Sequence, residues 1–588
     1  MRSIVLLVVL FCAVVALPAS AVDRNAFTFA HYDLKVTLDP HQQGLSAEGT
    51  VELRNRSKAP QAEAILQISS SLHWLSVLAG GEQVEWLQQV YTSDIDHTGA
   101  LNEAIVRFEE AVPPGGSVRL SVRYSGTVTK DATRLERIGT PPQVARRSDW
   151  DEVREGFTAL RGAGFVVWYP VAMEAANLAE GNELFETLRA WREREAGAVL
   201  RVQVKRIAPP EGDGTKVLFV ANAPEAKPGA EITAEFHGAE PVIVMLEGPA
   251  ETTDRPRVAA FYTASHTNFA RDYMAAAEKV IPELESWFGT PQSKVVLVEL
   301  TDPNALPYDV GSYYFVPMRS VLPAAAEVAL TRPVVHAMVD SGRPWIREGL
   351  AAFAQALVRE HQAGRRAAIA YLGQFSAALE VAESQSHGMF HEPSNAKTDG
   401  KAEGDKLLAT TGLQPLITTS DEVFFRTKAA YVWWMLRDMV GDRPLQAALA
   451  QYRAADDRES GYMQRLIEAQ LTEKRSLETF FDEWVYRDRG LPQLKVDSAY
   501  VRKTLGEQTV TAVTIENLGE AGCEVPVSVR SNAGENNVRV EVPAKGKAVV
   551  RVQFQAAPTE AEVNDGSVPE AEHRDNVVPV TSSPTAEK

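Results

Sequence analysis

Cysteine is almost absent: Cys12 and Cys523 are the only two in 588 residues. Cys12 falls inside an N-terminal apolar segment, so cleavage there leaves one thiol, no intrachain disulfide, and a fold held by packing. Positive charge is also scarce. Lys and Arg number 60 against 78 Asp and Glu, a formal net charge of −18, which becomes −19 if Arg2 is removed. A surface of that sign argues against nucleic acid or anionic lipid as partner, since both are held by clustered cations. After Leu17 no run approaches the ~20 apolar residues that a membrane-spanning helix needs. Internal repeats and heptads are missing too, which excludes solenoids and coiled coils.

What is present begins with a leader. Arg2 precedes an apolar stretch from Ile4 to Leu17, and Ala19-Ser20-Ala21 supplies a small-residue cleavage site. The pattern predicts a signal peptide over 1–21, a mature start at Val22, and export to the periplasm or the medium. An uncleaved anchor is the alternative, for which the run is short. A lipoprotein would need a small residue where Phe11 precedes Cys12. The remainder, 45% hydrophobic and 23% charged, has the balance of globular domains with sizeable cores. Its length suits three or four domains of ~150 residues each.

From Ala26 to Leu246 the chain reads as strands. His31 to Leu38, Ser46 to Leu53 and Ser117 to Tyr124 alternate apolar with polar residues, which buries one face of a sheet and wets the other. One helix is expected at Glu180 to Glu195. Near Asp254 the period changes. Asn268 to Trp287 has helical spacing, Lys294 to Leu300 is a buried strand, and helices are expected at Ala324 to Val339, Trp345 to Gln362, Arg366 to Ala382, Lys428 to Val440, Leu445 to Arg453 and Leu477 to Arg487. Glu383 to Thr419 reads as a long loop. After Gly490-Leu491-Pro492 short strands return over Val510 to Gln555. The expected organisation is a β domain over 22–250, a helical domain over 251–490, a β-sandwich over 491–581 and a tail over 582–588.

The chemistry concentrates between Leu330 and Leu350, where His336 is followed by Trp345-Ile346-Arg347-Glu348-Gly349. This segment resembles the zinc-helix region of the gluzincin metallopeptidases, specifically the aminopeptidase N family. In that family a helix with H-E-x-x-H supplies two imidazoles to zinc, a glutamate between them polarises the bound water, and a Trp-Leu-x-Glu-Gly helix adds a third ligand. The resemblance continues through Tyr32-Asp33-Leu34-Lys35-Val36, Trp168-Tyr169-Pro170 and Phe480-Phe481-Asp482-Glu483-Trp484, so it covers nearly the whole chain. It implies an α+β multidomain fold: a saddle-like N-terminal β-sheet domain, a mostly helical thermolysin-like domain and a C-terminal β-sandwich.

Carried over by position, the resemblance puts Glu348 at the third metal ligand and His336 at the second histidine. Arg332 stands at the first histidine, and a guanidinium has no lone pair for a metal. Pro333 stands at the general base and is expected in a helix's first turn. Arg426 replaces the tyrosine whose hydroxyl would stabilise the oxyanion. Gly311-Ser312-Tyr313-Tyr314-Phe315 replaces the strand whose glutamate binds a substrate's amino terminus. Tyr314 and Lys428 are candidate cleft residues, Lys428 with ordinary surface solvation as the competing reading. Glu348, with Arg332 and Arg343 near it in the sequence, is expected to serve as an ion-pair acceptor in place of a metal ligand, with Arg332 reaching it.

These substitutions imply a peptidase-like protein with little or no activity, binding a peptide or protein ligand. Zinc, the family's metal, is expected to be absent or weakly held. Two alternatives stand beside that reading. One is an active zinc-dependent aminopeptidase with an altered site, completed by His387 and His391 beside Glu392 or by a water. The other is a structural scaffold.

Overall fold

The computed structural model describes residues 22–207, 216–221, 231–238, 241–248, 250–388, 414–472, 475–503, 509–532, 534–554 and 557–582. The chain is a multidomain α+β protein with sheets at its N-terminal end, a helical middle and C-terminal strands. It divides into two compact units, one comprising Met1–Ala145, Asp149–Gly212 and Phe219–Val244, the other mainly Met245–Lys588.

In the first unit a seven-stranded sheet runs in the order Glu231–His237, Val199–Arg206, Phe27–Asp39, Gly44–Asn55, Ser117–Thr127, Leu72–Ala79 and Glu82–Gln83. Alternation does what it should: Tyr32, Leu34, Val36 and Leu38 are buried, while Asp33 and Lys35 face water. Phe27–Asp39 pairs antiparallel with its neighbour Gly44–Asn55 and parallel with Val199–Arg206, His31 opposite Val199. A three-stranded sheet joins Gln61–Ser69, Ala100–Val112 and Glu85–Thr92. The Trp168-Tyr169-Pro170 motif is fixed through its backbone, because Tyr124 Oη donates to Trp168 O at 3.0 Å and Tyr32 Oη to Pro170 O at 2.9 Å. Three helices, α1 (Thr133–Arg137), α2 (Pro142–Ser148) and α3 (Glu183–Arg194), follow the early strands.

The second unit opens with a five-stranded sheet, in the order Ala250–Asp254, Val258–Thr263, Val295–Glu299, Tyr313–Val316 and Tyr308–Val310. Its central strand Val295–Glu299 is parallel to both neighbours, which accounts for its unbroken apolar character. Helix α4 (Thr267–Phe288) buries Tyr273, Ala277, Val280, Ile281 and Leu284 along one stripe. Helices α5 (Pro323–Met338), α6 (Pro344–Ala363), α7 (Arg365–Gly373), α8 (Ser376–Gly388) and α9 (Ala429–Val440) follow. Two four-stranded sheets over Leu494–Lys503 to Thr581–Ser582 end the described chain, and Cys523 is buried among them with its thiol pushed up by burial. No helix of the described residues is long and apolar enough to cross a membrane.

Three local expectations fail for identifiable reasons. Pro333 lies well inside α5 rather than in a first turn. There its missing N–H leaves one helical bond unmade, a cost borne by burial of Val334, Val335 and Ala337 around it. The single helix expected over Arg366 to Ala382 is two, α7 ending at Gly373, a weak helix former, before α8 starts at Ser376. And α8 continues to Gly388, into the expected loop, with Glu383 buried in tertiary contact.

Helices α6 and α9 approach closely through Gly349. A Cβ at that position would lie 2.7 Å from Ala429 Cβ and 3.1 Å from Trp433 Nε1. Beside it Trp345 and Trp433 stack at 5.0 Å and 9°, and Trp433 Nε1 donates to Trp345 O at 3.1 Å. Gly349→Ala is therefore expected to destabilise the protein by about 1–2 kcal/mol, overpacking outweighing the gain in helix propensity. A urea midpoint equal to or above wild type would show that the two helices yield without strain.

Candidate functional site

The site is assembled from four elements of the second unit. Tyr308–Val310, an edge strand paired antiparallel with Tyr313–Val316, supplies Asp309 opposite Tyr314. Helix α5 supplies Arg332 and His336, four residues apart and hence on one face. Helix α6 supplies Glu348, just past its first turn. A π-helical turn, Val423–Lys428, precedes α9 and supplies Arg426. Wide turns of this kind re-aim a side chain within an otherwise regular helix and recur at functional sites.

The charges interlock. Arg332 Nη2 donates to Glu348 Oε2 at 2.7 Å, so the expected ion pair is present, and Arg332 also reaches both Asp309 oxygens at 3.3 and 3.4 Å. His336, only 2% exposed in its side chain, spans the same two carboxylates: Nδ1 lies 3.3 Å from Asp309 Oδ2 and Nε2 lies 3.2 Å from Glu348 Oε1. Neither ring nitrogen is aligned for a good hydrogen bond, so these are ion-pair contacts at close range. Arg426 Nε stands 3.5 Å from Glu348 Oε2, its Nη1 contacts Glu422, and Arg347 Nε is 4.0 Å from Glu348 Oε1.

Protonation follows from this arrangement. Burial alone would raise the pKa of Glu348, but His336, Arg332 and Arg426 outweigh it and hold the carboxyl well below its ordinary value. Asp309 is likewise desolvated yet held at about 2 by His336 and Arg332. Burial would lower His336, but the flanking carboxylates win and its pKa is raised, favouring the imidazolium. Arg426 moves the other way, lowered by burial and by the facing Arg332.

Such a donor set does not suit zinc. A metal requires lone pairs, and the space between Asp309 and Glu348 is spanned twice by cations, once by Arg332 and once by His336. A protonated imidazole offers no lone pair, and a guanidinium within reach of Glu348 repels a dication. Among the described residues no group of three or more His, Cys, Asp or Glu side chains is arranged to hold a metal.

A cavity of about 390 Å³ opens beside the cluster, between α6, α7, α8 and the π-helical turn. Arg332 and Arg426 line it, with Tyr371, Leu372, Phe375 and Ala430 among the other walls. Neither Tyr314 nor Lys428 does. Tyr314 is buried at 7% exposure, its hydroxyl pKa raised chiefly by desolvation. Lys428 is not a solvated surface cation either: its side chain is 1% exposed, with Nζ 2.6 Å from Glu383 Oε1 and 3.1 Å from Asp488 Oδ1. The segments that bury it lie far apart in sequence, which local pattern does not reveal. His391 and Glu392 lie outside the described residues, and of His387 only its place near the end of α8 is described. Sequence reasoning missed Asp309 and Glu422. An acidic residue in the short strand just before Gly311 was the available signal for Asp309.

No protein-family profile matches the chain, and no curated protein matches it in sequence. Among solved structures it is similar to an M1 zinc metallopeptidase from Deinococcus radiodurans, at 18% identity and a TM-score of 0.43, over 78% of this chain and 94% of that one. A point mutant of an M1 zinc metallopeptidase from the same organism gives 18% identity and a TM-score of 0.44, over 79% and 96% of the two chains. A mutant bound to a Tyr-Ser-Ala substrate gives 17% and 0.44, over 78% and 94%. Values at this level leave the chemistry to be read from the residues themselves.

Proposed function

We propose that this chain is an exported, peptidase-like protein that binds its ligand without cleaving it. The observation that supports this reading is the double bridge at the site: Arg332 and His336 each contact both Asp309 and Glu348, so the carboxylate at the metal-ligand position is neutralised by side-chain cations. The three roles a zinc peptidase of the resembled family needs have lost their groups. Arg332 stands for a ligand, Pro333 for the base and Arg426 for the oxyanion donor. Beside them lies a cavity bordered by two guanidiniums, which can hold a ligand, and the carboxylate among its described lining residues, Glu422, is paired with Arg426. Export rests on the leader pattern, with cleavage after Ala21 and a periplasmic or secreted destination.

The test is metal content after exposure to zinc and desalting, for the wild-type protein and for His336→Ala, together with hydrolysis of aminoacyl amides. Neither protein is expected to retain zinc above background, and no zinc-dependent cleavage is expected. Retention of about one zinc per chain that disappears in His336→Ala would overturn the reading and restore a metallopeptidase.

A further inference from the structure

We propose that the cavity between α6, α7, α8 and the π-helical turn binds a small amphipathic carboxylate, its headgroup on Arg426 and Arg332 and its apolar body against the helices. This deepens the binding function above and rests on it. The cavity's size, about 390 Å³, falls within the range of sites that enclose small organic ligands. Most of its wall is apolar: Ala352, Leu372, Phe375, Ala378, Val423 and Ala430. Phe375 is 49% exposed and meets Tyr371 edge-on at 6.2 Å and 83°, so the wall carries an aromatic surface that water covers when no ligand does.

The polar end is cationic. Arg332 and Arg426 both line the space, and Glu422, already in contact with Arg426, is the carboxylate beside them. Arg332 also has Glu348 and Asp309 at its back, whereas Arg426 Nε is buried without an aligned hydrogen bond, 3.5 Å from Glu348 Oε2. Two guanidiniums lining one partly desolvated wall repel each other. An anion placed between them relieves that repulsion and accepts from donors preset in a planar fork. A cationic ligand gains nothing comparable, because Glu422 is already paired. Gln355 Nε2 is committed to Val328 O at 3.0 Å, so recognition of the headgroup falls to the arginines.

Isothermal titration calorimetry on the full chain tests this with two matched pairs: octanoate against octanol, and N-acetylphenylalanine against its amide. At least one carboxylate is expected to bind one-to-one and about tenfold or more tighter than its uncharged counterpart. Preference for octanoate would identify an acyl chain as the source of the group, and preference for N-acetylphenylalanine a peptide C-terminus. Arg426→Gln should abolish the discrimination. Ala378→Phe, at an exposed position on the rim, should block binding while leaving the thermal midpoint near wild type. Equal affinity for charged and uncharged partners, unchanged carboxylate affinity in Arg426→Gln, or no binding of either carboxylate would overturn the proposal and leave the non-hydrolytic reading intact. Retention of zinc with peptide cleavage would remove that reading itself, whatever the calorimetry gives.

Discussion

Replacing Lys428 with methionine is expected to destabilise the second unit by about 3–5 kcal/mol, the cost of leaving buried charges without their counterion. The ammonium sits between Glu383 of α8 and Asp488, and it lies 5.4 Å from the Phe424 ring and 5.9 Å from the Trp484 ring. Asp488 also accepts the backbone N–H of Gln414 at 2.8 Å. One cation thus ties together α8, the π-helical turn, the chain at Gln414 and the segment after Asp482–Tyr486. Methionine keeps most of the volume, so the loss measures charge rather than a cavity. A triple variant, K428M with E383Q and D488N, is expected to recover a large part of it, since removing all members of a buried charged group costs far less than removing one. Urea midpoints of the single and triple variants decide this. A single variant as stable as wild type would mean that the two carboxylates find protons or water at little cost.

Glu348→Gln is expected to cost about 3 kcal/mol near neutral pH, at the lower end of that range because the side chain keeps 16% exposure. Its pH profile is more informative than its size. The Glu348 and Asp309 pKa values are depressed in the folded state, so their stabilisation is complete above the unfolded values of 4.5 and 3.8 and is lost as pH falls through the folded ones. His336 is raised, so its stabilisation is complete below the unfolded value of 6.5 and is lost as pH rises through the folded one. Wild type should therefore be most stable between about pH 4.5 and 6.5 as far as this cluster is concerned, falling on both sides. In Glu348→Gln both limbs should flatten, the acid limb because a carboxyl is gone and the alkaline limb because His336 keeps only Asp309. Urea midpoints from pH 3 to 9 that superimpose for the two proteins would show that Glu348 is not coupled to the cluster.

How much of this was legible in sequence follows from how local each cause is. Strands such as Phe27–Asp39 were readable because a two-residue period and a buried face are the same fact. The Arg332–Glu348 pair was readable because a carboxylate at the position that the resemblance assigns to a metal ligand needs a positive partner when a guanidinium stands at a neighbouring ligand position, and Arg332 stands there. That Arg426 also reaches Glu348 depends on the π-helical turn, whose extra residue per turn has no sequence period to betray it. Lys428 and Asp309 were misjudged or missed because their partners come from segments that tertiary packing alone brings together. Pro333 misled for the opposite reason: a sound local rule was overridden by the buried face of α5.

The parallel pairing of Phe27–Asp39 with Val199–Arg206 sets a schedule for synthesis. The early strand acquires its antiparallel neighbour Gly44–Asn55 almost at once, yet its other edge stays bare until the ribosome has added the chain up to Arg206. At roughly 5–20 residues per second that interval is on the order of ten seconds. Throughout it, an edge carrying Tyr32, Leu34, Val36 and Leu38 on one face is a template for pairing with any other nascent strand. The earliest strand to be made is thus among the last in its sheet to be sealed, and a chain truncated before Val199 should be cut by protease within residues 27–39 where the full chain resists.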